Sequence, residues 1–297
     1  MSGVGDISYH KSIKIIDTVK MKYAKEPKTI TEQLDQLRSR GLEFTFEENA
    51  IHKLKHIGYY RLSAYMKFYQ VEGDQYKPKT DFEDVLELYT FDRELKLLLF
   101  DAVERIEIAL RSNLVHLASV RHGAFWYMNE ELFLDRFDSE KHKAFVRKRI
   151  SKSRGNSVFL KHFYKKYEDE HPPSWIFIEL LSFGEVLNIF EGLLREERKI
   201  VAIEFGIDEK LLISWMKGLV DIRNTCAHHG RLWNHHIKPP HKYDSLKLTS
   251  NGRIYDYLLI IKYFLTVISP RSEWSAKLDV LLNDHPHIPK RSMGFPS

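Results

Sequence analysis

The chain has 297 residues, 43% of them apolar and 13% aromatic, enough to bury a sizeable core and to exclude general disorder. Its 46 Lys and Arg against 41 Asp and Glu leave a net charge of +5 and a pI near 9.0, so a polyanionic partner fits only where that excess is clustered. The one cysteine, Cys226, excludes an intramolecular disulfide framework and suits a reducing compartment. No signal-like leader is expected, and no apolar run approaches the ~20 residues of a membrane span. The best candidate, 257–268, is short and contains Lys262. The expectation is a soluble, cytoplasmic protein without membrane contact.

Residues 1–28 read as a basic, mobile arm. Thr29 to Glu32 resembles a capping box, Leu34 and Leu37 share a face, and Gly41 sits where a helix would stop. A second apolar pattern, Ile51, Leu54 and Ile57, ends at Gly58 and leads into Tyr59-Tyr60-Arg61-Leu62-Ser63-Ala64-Tyr65. Together 29–78 form a small helical lobe. Thr80-Asp81-Phe82-Glu83 offers another cap, followed by about 40 residues free of Gly and Pro, with Val85, Leu88, Leu95, Leu99, Val103, Ile106 and Leu110 at helical spacing. This predicts one very long helix, or two in series, as the spine of a domain over 79–283. A basic helix over 141–152, an apolar helix over 175–181 and helices over 185–195, 208–229 and 254–268 follow, the fourth with a break near Gly218. Trp175, Trp215 and Trp233 read as core. Residues 284–297, rich in Pro and His, read as a loosely ordered tail. Hairpin signals and internal repeats are missing, so the predicted fold class is all-α: a helical bundle with a long central helix and a small N-terminal lobe.

Reactive chemistry concentrates in Arg223-Asn224-Thr225-Cys226-Ala227-His228-His229-Gly230-Arg231-Leu232-Trp233-Asn234. A guanidinium grips a phosphoryl oxygen bidentately while an imidazole moves a proton, so this pairing suits chemistry at a phosphate. The spacing alone is weak, because Arg111/His116 and Arg231/His236 repeat it. Asn224 and His228 share a helix face, whereas Arg223 and His228 diverge by about 140°. Arg223 reaches His228 by wrapping its stem, through a distorted helix end, or across a symmetric dimer that brings two such helices together. Gly230 is the expected stop, which puts His228 and His229 in a last turn whose free carbonyls favour imidazolium. His228 would then move a proton at a ribose 2′-hydroxyl or the leaving 5′-oxygen, Arg223 would steady the phosphorane, and Asn224 would orient the ring. Such a site cuts RNA without a metal and spares DNA, which has no 2′-hydroxyl. The plainer reading has Arg223 and both histidines capping a helix and pairing with neighbours such as Asp221.

At these residues the chain resembles the Abi-like family of bacterial abortive-infection proteins, of the AbiD/AbiF type, whose Arg-Asn-x-x-x-His segment belongs to the HEPN superfamily. The resemblance runs from about residue 31 to 234. It includes the Ile57-Gly58-Tyr59-Tyr60-Arg61 block, the Phe91-Asp92-Arg93-Glu94-Leu95 helix as far as Arg111, the Pro172-Pro173-Ser174-Trp175 block reaching Ser182-Phe183-Gly184, and the segment above. It implies an α-helical HEPN-like bundle and a metal-independent endoribonuclease toxin of phage defence, commonly a homodimer. Arg223, Asn224 and His228 would be its catalytic group, without metal or cofactor, and a regulatory RNA or antitoxin is an implied partner. HEPN domains also include modules that bind RNA without cutting it, so a non-catalytic RNA-binding or regulatory module is the alternative.

Further candidates surround this group. His229, Arg231, Glu104, Arg105 and Arg111 are expected to support it, although Asp101/Arg105 and Glu107/Arg111 also fit ordinary i,i+4 pairs. Tyr60 and Arg61 are candidates for stacking on bases and holding phosphate, and Arg147, Lys148 and Arg149 for an electrostatic RNA track. The histidines 228, 229, 235, 236 and 241 lack the companion residues of a zinc site, so no metal is expected. Cys226 reads as packing rather than as a nucleophile.

Overall fold

The computed structural model describes residue 22 and residues 24–296. Twelve α-helices and several 3-10 turns account for the regular structure among them, with isolated bridges but no strand. Helices α1 (Ile30–Ser39), α2 (Glu47–His56) and α3 (Tyr59–Met66) form the N-terminal lobe. Thr29 closes the expected capping box with Glu32, and Gly41 takes a left-handed φ of 87°. The arm expected over 1–28 falls largely outside the described residues.

Helix α4 (Phe82–His122) is a single helix of 41 residues, about 60 Å at 1.5 Å per residue. Its cap is Asp81 with Asp84 at the third position, one residue later than the Thr80/Glu83 pair expected, because Asp81 accepts from Glu83 N at 2.8 Å. It stops at Gly123, whose φ of 83° only glycine adopts freely. Leu88, Leu95, Leu99, Ile106, Leu110 and Leu114 are buried along it, and α3, α9 (Arg195–Ile203), α10 (Glu209–Ala227), α11 (Ile254–Ile268) and α12 (Trp274–Asp284) pack against it. Helices α5 (Ser139–Ser153), α6 (Val158–Lys166), α7 (Ser174–Phe177) and α8 (Phe183–Gly192) complete the bundle. The expected 175–181 helix is split into α7 and a 3-10 turn, Ile178–Leu180.

No break interrupts α10 at Gly218. That glycine answers to packing: a Cβ there would lie 2.0 Å from the hydroxyl of Tyr257, which α11 presses against it and Lys238 O holds at 2.7 Å. Gly218→Ala is therefore expected to lower stability by about 2 kcal/mol in urea unfolding, overriding the ~1 kcal/mol that alanine gains in a helix. An unchanged or raised midpoint would show that Tyr257 swings aside freely.

Two expectations are corrected. The tail from 284 is packed: Ile288 and Met293 are buried, and His285 lies 3.4 Å from Glu94 with its ring against Phe91. Its apolar residues are few but are held: Phe295 meets the ring of Tyr255 on α11, and Asn251 donates to Gly294 O at 2.9 Å. Trp215 and Trp233 are fully buried as expected, but Trp175 is 52% exposed, because a helix of four residues shows one side to the bundle and Phe177, not Trp175, fills it.

Candidate active site

Helix α10 runs unbroken to Ala227 and ends in a Schellman turn. His228 is the C-cap, His229 takes the left-handed position at φ 57°, and the N–H groups of His229 and Gly230 return to Cys226 O (3.1 Å) and Thr225 O (2.8 Å). The left-handed residue is thus His229 rather than Gly230. Gly230 answers to close approach, since a Cβ there would come 3.0 Å from Thr225 Cγ2. His228, His229 and Asn224 are exposed, and no side-chain bond or ion pair engages the His228 ring among the described residues.

The turn is held from three sides. Arg61 donates to His229 O at 3.0 Å, Lys96 to Gly230 O at 3.0 Å, and Arg231 to Ala64 O. Beneath it lies Asp92, fully buried. One of its oxygens accepts from the N–H groups of Leu232 (3.0 Å) and Trp233 (2.6 Å); the other accepts from the Tyr65 hydroxyl (2.6 Å) and faces Lys96 at 3.0 Å. Burial, with Asp92 beside it, drives the Tyr65 hydroxyl well above the usual phenol range, so it stays a donor. A buried carboxylate with this many partners fixes the backbone that follows His228. Arg61 and Arg231 accordingly serve the turn, while Tyr60 beside them is 92% exposed.

An open groove of about 850 Å³ runs along the outer face of α4, with Trp175 and Glu179 as the opposite wall. Arg223 lines it and lies 3.8 Å from Glu107; neither Asn224 nor His228 does. Arg223 also donates to Asn224 Oδ1 at 3.3 Å. Within one copy no hydrogen bond or ion pair joins the Arg223 guanidinium to the His228 ring, and only Arg223 lines the groove, in keeping with the roughly 140° that separates the two positions on an ideal helix. The plainer reading holds in part: His228 and His229 cap the helix and Arg223 pairs with an acid, but that acid is Glu107, while Asp221 pairs with His235 at 3.3 Å.

The remaining predicted residues divide. Glu104 is an exposed wall of the groove. Arg111 touches the groove but is buried, donating to Ile178 O (2.6 Å) and Leu181 O (2.8 Å) and pairing with Glu107. Arg105 turns away to Asp101 and to Ser272 Oγ at 3.0 Å. Arg147 and Lys148 are exposed, whereas Arg149 pairs with Glu185 of α8. Burial pushes the Cys226 thiol up to about 12, which leaves it inert at neutral pH. Among the described residues no group of three or more His, Cys, Asp or Glu is placed to share a metal ion, and no helix is long and apolar enough to cross a membrane.

Sequence reasoning missed Asp92, Lys96, Trp175, His116 and Glu179. Asp92 did carry a signal, since it shares the buried face of Leu88, Leu95 and Leu99, where a lone acid demands partners.

Fold and site together define an all-α protein with an Arg-Asn-x-x-x-His helix end beside an open groove. A family model described as Abi-like protein matches residues 52–234, more than half of the chain, and the chain belongs to that family, whose members serve in abortive infection, the defence of bacteria against phage. Comparison with curated proteins and with solved structures returned no match.

Proposed function

We propose that the protein is a metal-independent endoribonuclease toxin of the HEPN type that works as a symmetric homodimer. The observation that carries this reading is the free imidazole of His228 at an exposed helix end, one turn from Asn224 and on the same α10 segment as the groove-lining Arg223. The nucleophile is the ribose 2′-hydroxyl; His228 moves the proton, Arg223 meets the charge on the phosphorane, and Asn224 steadies the geometry.

The groove supports the dimer. Phe100, Ile108 and Val120 are the exposed apolar members of the α4 wall, a broken stripe with Ile108 56% exposed, and Trp175 belongs to the facing wall. Apolar side chains in a row at a concave surface suit a protein partner. Among the described residues Glu104 and Glu179 are unpaired acids of the same walls, whereas Glu107 is paired with Arg111 and Arg223, so away from Arg223 a second copy fits the groove better than RNA does. A two-fold pairing through the stripe brings the two α10 ends toward one another and lets Arg223 of one copy serve His228 of the other.

Purified protein and the His228→Ala variant, incubated with end-labelled RNA in EDTA, test the reading. The expected result is cleavage that resists chelation, leaves 2′,3′-cyclic phosphate ends and vanishes in the variant. Binding by both proteins without cutting by either overturns the enzyme and favours the regulatory module.

A further inference from the structure

Between 139 and 166 the chain has ten Lys and Arg and one acid, Glu140. Since the whole chain carries +5, this segment holds a net +9 and the rest of the molecule a net −4. The segment is one structural unit, the α5–α6 helical hairpin, seated on the bundle by Val146 and Ile150 of α5 and by Tyr164 of α6 and tied to α8 by Arg149, with Leu160 and Phe163 buried on α6. Its free cations, Lys148, Lys152, Lys161 and Lys165, are exposed and have no acidic partner among the described residues. In each of the pairs 148/152 and 161/165 the members lie one helical turn apart, about 6 Å along the axis. On the first turn of α6, Phe159 is 66% exposed, and Arg154 lies over the ring of Tyr164 at 4.4 Å.

We propose that the α5–α6 hairpin is a docking arm for single-stranded RNA, separate from the groove and from the end of α10. It rests on the reading above that RNA is the partner, and adds where and how the strand is held. Unpaired cations along two helices neutralise backbone phosphates without reading sequence, and an exposed ring offers a stacking face to an unpaired base. A membrane surface would demand a broad apolar face, and apart from Val158 and Phe159 the outward residues of both helices are polar or small. Helix α5 packs on the 3-10 turn Ile178–Leu180, whose Glu179 lines the groove, so the arm stands beside the wall through which a second copy would dock. A long RNA is thus held on the arm while another stretch reaches the helix end.

Binding is measured in the full-length His228→Ala background, by anisotropy of a fluorescent single-stranded RNA across a salt series. Replacing Lys148, Lys152 and Lys165 together by Gln is expected to weaken binding at least tenfold and to lower the slope of log affinity against log salt by about 2, near 0.7 per lost contact. Phe159→Ala is expected to weaken single-stranded binding about fivefold or more and leave duplex binding unchanged. A control exchange of the exposed Lys55 of α2 is expected to do neither. All are surface changes, and circular dichroism melts check that the fold survives. In the cutting-competent protein the triple exchange is expected to raise KM with kcat preserved, whereas loss of His228 removes cutting and keeps binding, so the two ideas fail separately. Unchanged affinity and slope, absence of RNA binding, or a preference for anionic phosphatidylserine vesicles over RNA each overturns the arm.

Discussion

Mixing Arg223→Ala protein with His228→Ala protein is expected to restore cutting that neither shows alone. Each exchange by itself removes either charge stabilisation or proton transfer and lowers the rate by about 10²–10⁴. His228 is exposed and Arg223 is half-buried with only a 3.8 Å ion pair to Glu107 and a bond to Asn224, so both variants are expected to stay folded, which thermal melts check. Because positions 223 and 228 lie about 140° apart on an ideal helix, the proposed site takes its guanidinium from one copy and its imidazole from the other. In a randomly paired mixture half of the dimers are mixed and each holds one complete site, so recovery approaches about a quarter of the wild-type rate. Gel filtration of Ile108→Arg provides the companion measurement: a charge in the apolar stripe is expected to yield monomers and abolish cutting. Absence of recovery, with cutting by monomers, would mean that each copy completes its own site.

The second large effect belongs to stability. Asp92→Ala is expected to cost about 3–5 kcal/mol, a large part of what an ordinary domain has, read as a shift of the urea midpoint. The loss strands two backbone N–H groups, the Tyr65 hydroxyl and the Lys96 ammonium, all bonded to that carboxylate in a site closed to water. Asp92→Asn retains an acceptor for Leu232 and Trp233 and is expected to cost less, and Lys96→Met in its background to recover part of the difference. A cost below about 1 kcal/mol for the alanine variant would show that the turn after α10 stands without this hub.

Much of the fold was legible where apolar spacing is long and punctuated. Helix α11 lies at 254–268 as expected, and α4 follows from a run with no Gly or Pro and a glycine at its end. Three helices left little trace. Helices α6 and α9 are one-sided but only nine residues long, with two buried residues each, so their pattern is brief, and α12 follows its predecessor after a loop of a few residues. At the site, the helix end beside Gly230 was readable, but which residue turns left-handed was not, because that depends on the carbonyls returned by Cys226 and Thr225. The orientation of Trp175 was hidden for a similar reason: an apolar run does not say which of its members meets the bundle. The basic run at 141–154 was legible as charge, and its extension into α6 required knowing that the chain doubles back.

Arg111 binds two carbonyls of the Ile178–Leu181 stretch from its seat on α4, and in doing so it sets the width of the groove. One wall is a rod with no glycine or proline at which to hinge, and the other is bolted to that rod from within. The cleft is consequently preformed: an occupant must match its dimensions on arrival, and discrimination among partners rests on shape more than on adjustment after contact.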